Sequence, residues 1–485
     1  MRPICWVTAV LVLSSACGST VQVSGTRQLD GLSTGDGLSQ VVAPAATAPA
    51  GTNQPALSPG SGPTSSRAPS AQGPTSESAR GLPSVVTAGG QVVVGFLTYK
   101  DVAATGSALG IGGIATGDTE NQMRTMAGSI NARGGFLGHR IVLVSHDVKT
   151  AQSSSNPSQA AAEACADLVE KKASIVVNAG ANAELLSCLK KHGVIVVGST
   201  GITSSKEVFA PGLPGVYAPS AMSIDRYLPA FVDRLYAQGF FAKWDVRTGN
   251  PGIAPVRIGV QAFDNADGRR YVAVLGKALQ KYGLRVDQTD LHPTDVASNA
   301  SSTSSAVLRF NANGVTHLFN ANVLFYKGAD SQGYKPRYGV DDTIATPALL
   351  AQNVSKSQLH GAMGAGYLPA YEVPSAKDVS PAATRCKAMM KRAGEDISQP
   401  LALAFMLHVC DAMSFLEKGF QAGGAVTAAA LESGLARLGS FESTITYRST
   451  PTQAHHDGAA ALRDYVYQDG CGCFAFVSTT TYPVP

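Results

Sequence analysis

Charge is scarce in this sequence. Asp, Glu, Lys and Arg make up 15% of its 485 residues, the formal net charge is +4, and no block is strongly basic. A nucleic-acid partner would need a clustered cationic face, so none is expected. The N-terminal apolar run, residues 4–13, falls well short of the ~20 residues that cross a bilayer as a helix. Catalytic signatures are missing too. There is no Gly-x-Ser-x-Gly elbow and no Walker A loop, and Gly276-Lys277 has the wrong spacing before it and the wrong residue after it. Gly110, Gly112, Gly113 and Gly117 do not form Gly-x-Gly-x-x-Gly and lie far from the nearest strand end. His455-His456 has no partner at ligand spacing and reads as a surface loop. With no nucleophile beside a base and no metal set, the chain reads as a non-enzyme with no catalytic residue, metal or cofactor.

What is present begins with an export signal. Arg2, the short apolar run and the small residues Ser14-Ser15-Ala16 precede Cys17, the pattern of a removed signal peptide over residues 1–16. Cys17 suits the lipidated first residue of a bacterial lipoprotein, with a lipid anchor on the outer or periplasmic side of the cell membrane. Ser14 stands where a Leu or Val is usual, and Ser14 with Ala16 would equally suit an ordinary signal peptidase. Of eight cysteines, Cys5 leaves with the signal and seven remain. If Cys17 carries lipid, six are left to pair in an oxidising compartment or to stay as buried thiols. Residues 17–90 are rich in Ser, Thr, Gly, Ala and Pro without apolar periodicity. They read as a disordered tether, since such a composition cannot offset its ordering entropy. A flexible coil of about 70 residues spans ~45 Å.

At Gln91 the texture changes. Residues 92–97 form a continuous apolar run, as in a buried parallel strand. A glycine-rich loop and a helix over 118–133 follow, with Met123, Met126, Ala127 and Ile130 on one face. Thr119 and Gln122 stand at capping-box spacing, and Gly134-Gly135 supplies the stop. Strands are expected at 141–144, 175–177, 194–197, 256–260, 284–289, 316–319 and around Met363. Helices are expected at 160–172, 182–192, 268–282 and 306–312. This alternation means parallel sheets covered by helices on both faces, with too many strands for one sheet. Helices over 380–393, 401–421 and 425–438 come next. Short closing strands at Tyr447, 465–467 and 474–477 end the chain.

The block Ile130-Asn-Ala-Arg-Gly-Gly-Phe-Leu-Gly-His-Arg-Ile-Val-Leu-Val-Ser-His-Asp147 resembles the first-helix-to-second-strand segment of type I periplasmic solute-binding proteins of the branched-chain amino acid (leucine-binding) family. There an Asn-x-x-Gly-Gly-x-x-Gly turn leads into a strand ending in Asp. The resemblance implies an α/β fold of two Rossmann-like lobes with parallel sheets, joined by three crossover strands near 215–218, 367–370 and 444–450. Lobe 1 would be 91–216 with 369–446, and lobe 2 would be 217–368 with 447–485. It also implies a disulfide between the second and third helices of lobe 1, where Cys165 and Cys188 stand. Cys386 and Cys410, on consecutive helices, make a second pair. Cys471 and Cys473 remain. Their small ring would be strained, and a redox role for them stays open.

In open α/β sheets ligands lie beyond the carboxyl ends of the strands. That rule selects Tyr99 after the first strand, Ala179, Gly180 and Asn182 after the third, and Ser199 and Thr200 after the fourth. In the second lobe it selects Asp264, Asn320, Asn322, Asp341 and Asp342. Ser199 and Thr200 suit a carboxylate, or a helix cap. Asp341 or Asp342 suits an ammonium, or a solvated turn. Tyr217 would pack on a ligand from the hinge side. Two departures from the family pattern bear on specificity. The third-strand loop lacks a hydroxyl residue, and Phe263-Asp-Asn-Ala-Asp-Gly268 replaces the usual Tyr-Gly. The function implied is a solute receptor that closes its lobes on a small polar, amino-acid-like or amide-like ligand and is read by the membrane permease of an ABC importer. The alternative is a sensor subunit serving a signalling partner.

Overall fold

The computed structural model describes residues 84–108, 110–177, 182–198, 204–293, 295–341 and 346–485. The expected signal peptide, Cys17 and most of the expected tether lie outside them. Residues 84–90, the end of that expected tether, belong to the fold. Val85 is buried in the core, and Ser174 Oγ donates to its carbonyl at 2.8 Å.

The first sheet contains β1 (Gln91–Thr98), β2 (Arg140–Asp147), β3 (Ile175–Val177), β4 (Ile195–Val197) and β5 (Val216–Tyr217), in the order β2-β1-β3-β4-β5 and all parallel. The apolar runs explain why it is buried on both faces. Successive side chains of a strand alternate between faces. Val92, Val94, Phe96, Ile175, Val177, Ile195 and Val197 enter one core, with Met123, Met126 and Ile130 of the helix Thr119–Ala132. Leu97, Val176 and Val196 enter another, with Leu168, Leu185 and Leu189 of the helices Pro157–Glu170 and Ala183–Lys191.

The Asn-x-x-Gly-Gly-x-x-Gly turn has a physical basis here. The Asn131 side chain makes two bonds to the Ile141 backbone, accepting at 2.8 Å and donating at 3.0 Å. Gly135 has φ +70, and a Cβ there would lie 2.1 Å from the His139 carbonyl oxygen. Only glycine tolerates that approach.

A small hairpin, β6 (Trp244–Asp245) and β7 (Asn250–Pro251), precedes the second sheet. That sheet holds β8 (Ile258–Phe263), β9 (Val286–His292), β10 (His317–Phe319), β11 (Arg337–Val340) and β12 (Met363–Gly366), then β13 (Ala461–Gln468), β14 (Cys473–Phe476) and β15 (Tyr482–Pro483). Its order is β14-β13-β12-β11-β10-β8-β9, with β15 on β13. Strands β8 to β12 are parallel and the C-terminal strands antiparallel.

The chain passes between the sheets three times. It leaves the first after β5. It returns after β12 to supply the helices Pro381–Arg392 and Pro400–Gly423, which pack on Thr119–Ala132, and it goes back before β13. Pro400–Gly423 is long and apolar enough to cross a bilayer, but most of it is buried inside the fold. It is a core helix, apolar nearly all round because it is covered nearly all round.

Several expectations are corrected. The helix Thr119–Ala132 is capped by Asp118, whose carboxylate accepts from Asn121 N at 3.0 Å, so Thr119 lies within the first turn rather than at the cap. The glycine-rich loop contains a helix, Val102–Ala108, and the helix expected at 306–312 starts at Val296. Tyr447 lies outside any strand. The two expected pairs, Cys165–Cys188 and Cys386–Cys410, are disulfides, and so is Cys471–Cys473, whose small ring spoke against pairing.

Candidate functional site

Beyond the carboxyl end of β1 lies a cavity of about 430 Å³, lined by Thr98, Tyr99, Lys100 and residues 116–120. The strand ends supply its polar wall. Thr98 Oγ1 donates to Asp147 Oδ1 at 3.0 Å, and Lys149 Nζ lies 2.5 Å from Asp147 Oδ2. Burial opposes ionisation of Asp147, but the hydrogen bonds from Lys149 and Thr98 outweigh it and hold the carboxyl below its usual range. Tyr99 is half-buried against the helices of this lobe, and burial pushes its hydroxyl up to about 12, so it stays a neutral donor. Lys100 pairs with Glu120 at 2.9 Å. The buried Thr119 hydroxyl has no partner among the described residues.

Across from these loops, Gln261 of β8 organises the second lobe. Its carbonyl accepts from Asn320 Nδ2 at 2.9 Å and its Oε1 from Asn322 N at 3.2 Å, while its Nε2 donates to Asp290 at 3.1 Å. Asn320 is left-handed, φ +58, which turns the chain sharply at the strand end. Asn322 caps the helix Val323–Ser331 through Phe325 N, 2.9 Å. Asp341 is buried and accepts from Tyr271 OH at 2.5 Å. Asp264 is exposed and paired with Arg269 at 2.5 Å. In the first lobe, Asn182 caps the helix Ala183–Lys191, accepting from Glu184 N and Leu185 N at 3.0 Å each. Ala179, Gly180, Ser199, Thr200 and Asp342 lie outside the described residues.

The loops of the two lobes meet. Asn353 Oδ1 accepts from Gly112 N at 2.7 Å, and its Nδ2 donates to Gly112 O at 3.0 Å. Lys327 Nζ donates to Gly110 O at 2.5 Å, and Ile111 packs against the second-lobe core. Elsewhere along the cleft, Ser205 N donates to Asp267 Oδ1 at 3.2 Å. Each of these groups lies in a segment that follows a parallel strand's carboxyl end, so the two sets of strand ends face one another. Sequence reading missed Asn353, Lys327 and Ile111, because nothing local marks contacts between residues 241 and 217 apart.

The crossovers are tied from within. Asp411, buried in the long helix, accepts from the hydroxyls of Ser220 and Ser443 and from Thr444 N, the last at 2.5 Å. Burial raises its pKa against those three bonds. Tyr217 is fully buried beside the first crossover. Its hydroxyl donates to Glu432 at 2.8 Å, and its ring stacks on His456 at 4.4 Å. It therefore offers the cleft no free group. His456, expected in a surface loop, is also fully buried, 3.0 Å from Glu432. That carboxylate and the Tyr217 ring supply the polar and flat partners that let an imidazole sit in the core.

A family model described as periplasmic binding protein matches residues 91–468. No curated protein matches the chain. Among solved structures of similar fold is an ABC transporter substrate-binding protein from Aeropyrum pernix, with TM-score 0.60 and 13% identity over 81% of this chain and 96% of that one. An extracellular ligand-binding receptor from Verminephrobacter eiseniae has TM-score 0.57 and 16% identity over 79% of this chain and 99% of its own. A branched-chain amino acid ABC transporter protein from Thermus thermophilus, with bound valine, has TM-score 0.55 and 16% identity over 81% and 96%.

Proposed function

This chain belongs to the periplasmic binding protein family, and from that premise we propose that it is an exported, lipid-anchored receptor of an ABC-type importer. It captures a small polar solute, amino-acid-like or amide-like, by closing two lobes, and the membrane permease reads the closed form. The lobes are residues 91–216 with 369–446 and residues 217–368 with 447–485. The observation that carries this reading is the meeting of the two sets of strand ends, bridged by Gly112–Asn353, Gly110–Lys327 and Ser205–Asp267. A solute held between them contacts both lobes only when they are together, so it shifts the population toward the closed form.

The ligand groups we assign are Tyr99, Ala179, Gly180, Asn182, Ser199 and Thr200 from the first lobe, with Asp264, Asn320, Asn322, Asp341 and Asp342 from the second. Hydroxyls and helix-start N–H groups suit a carboxylate, and the aspartates suit an ammonium or amide. Support for the anchor comes from cysteine arithmetic. Cys5 leaves with the signal and six others form three disulfides, which leaves Cys17 for lipid.

A thermal-shift screen of the mature protein against amino acids, amides, polyamines, nucleosides and aromatic acids tests the reading. A compound present at about 100 times its Kd adds ~2.7 kcal/mol of stability. Amino acids or amides raise the midpoint if the reading holds. Shifts by other classes alone contradict the assigned site, and turnover of a bound compound contradicts a pure binding role.

A further inference from the structure

The solute reading leaves one feature unused, the Cys-Gly-Cys at the tip of the β13–β14 hairpin. Its disulfide differs from the other two in span and in having an exposed cysteine, whereas Cys188 of the first bridge is half-buried. Cys165, Cys386 and Cys410 are buried in helix layers and their bridges span 23 and 24 residues, whereas Cys471–Cys473 spans 2 and Cys471 is exposed. A bridge stabilises a fold chiefly by restricting the unfolded chain, and the restriction grows with loop length. Opening the shortest one therefore costs the fold least. The turn has supports besides the bond: Gly472 takes φ +64 and β13 pairs with β14 through four residue pairs from Tyr465–Phe476 to Gln468–Cys473.

A cation flanks the turn at Gly472. Lys356 lies so close to Gly472 that a Cβ there would sit 3.2 Å from Nζ, and Lys356 has no ion-pair partner among the described residues. The nearby carboxylate of Asp469 is engaged by His360 at 2.6 Å. An ammonium next to a cysteine favours its thiolate, and a stabilised thiolate is a better leaving group.

We propose that Cys471–Cys473 is an exchangeable disulfide that accepts two electrons from a dithiol. One thiolate of the dithiol attacks a sulfur of the bridge. The S–S bond breaks, and the other cysteine leaves as a thiolate on the turn that Lys356 flanks. The second thiol of the dithiol then attacks the mixed disulfide. The products are Cys471 and Cys473 as two thiols and the partner as a disulfide, with two protons and two electrons transferred. The reverse reaction returns the bridge when an external disulfide is supplied.

The test uses the full chain in graded dithiothreitol redox buffers, quenched with acid, then unfolded, alkylated and mapped by mass spectrometry. Cys471 and Cys473 are expected to be alkylated at dithiol levels at least tenfold below those that open Cys165–Cys188 or Cys386–Cys410. In Lys356→Gln the opening should be about threefold slower for each unit by which the leaving thiol's pKa rises once the ammonium is gone, with circular dichroism unchanged. A second arm supplies a reduced protein dithiol in place of dithiothreitol. Exchange with dithiothreitol alone identifies a small dithiol as the partner, and exchange in both arms a protein-borne one. Opening of all three bridges together, or no exchange in either arm, overturns the proposal. So does a Lys356→Gln rate equal to that of the native chain.

Discussion

Replacing Asn353 by Ala separates closure from folding. Its side chain makes two hydrogen bonds to the Gly112 peptide, at 2.7 and 3.0 Å, and one to Leu349 within its own helix at 2.9 Å. A hydrogen bond between partly exposed groups contributes about 0.5–1.5 kcal/mol net, so losing the two interlobe bonds costs the closed form about 1–3 kcal/mol. If those bonds exist only when the lobes are together, the loss falls on ligand binding, a weakening of about 5- to 150-fold. The assay is calorimetric titration of native and Asn353→Ala protein with a compound that raises the melting midpoint. The unliganded variant should unfold within about 1 kcal/mol of the native chain. A Kd unchanged within about twofold would refute the reasoning. So would a variant whose unliganded stability carries the whole loss, because the bonds would then hold the fold rather than the closure.

Ile111→Ala should weaken binding in the same direction by about 1 kcal/mol, since its side chain packs on the second-lobe core; the same titration checks it. Asp411→Ala should cost about 3 kcal/mol or more in urea unfolding, because Ser220, Ser443 and Thr444 N lose a buried acceptor. Stability should fall as pH drops from about 6.5 towards 4. Burial lowers His317 to about 4, with Arg337 adding to it, and lowers His408 to about 3, so the unfolded chain takes up protons the folded chain refuses. Each such histidine contributes a slope of ~1.4 kcal/mol per pH unit in that window. Asp411, raised by burial from 3.8, acts in the opposite sense above that value, where the folded chain keeps a proton that the unfolded chain has released. Urea titrations at several pH values measure the net slope. Replacing Cys165 and Cys188 together by Ala should cost about 3 kcal/mol in the chain-entropy account, read as a lower urea midpoint.

The first lobe was largely legible because its signals are local. Alternating strand residues such as Val94 and Val176, glycine stops at Gly134-Gly135 and the Asn131 turn each act within a few residues. The second lobe was less so. The helix Ile224–Ala237 contains Pro229, which normally breaks a helix, yet Tyr227, Leu228, Phe231 and Leu235 bury one face and packing prevails. Among the site residues, Tyr99 lines a cavity at the end of its strand. Tyr217 and His456 did not follow their surroundings in sequence, because the Glu432 that holds both comes from a helix more than 20 residues before His456 and more than 200 after Tyr217. Strand-end rules select loops. They do not say which side chains in a loop the core claims for itself.

Closure on a solute is the claim on which the rest depends. Small-angle scattering of the mature protein, with and without a compound that raises its melting midpoint, tests it most directly. The account predicts that the compound narrows the distance distribution and lowers the radius of gyration, and that Asn353→Ala needs more of it for the same change. A compound that binds stoichiometrically while the scattering curve stays the same would contradict closure as the mechanism.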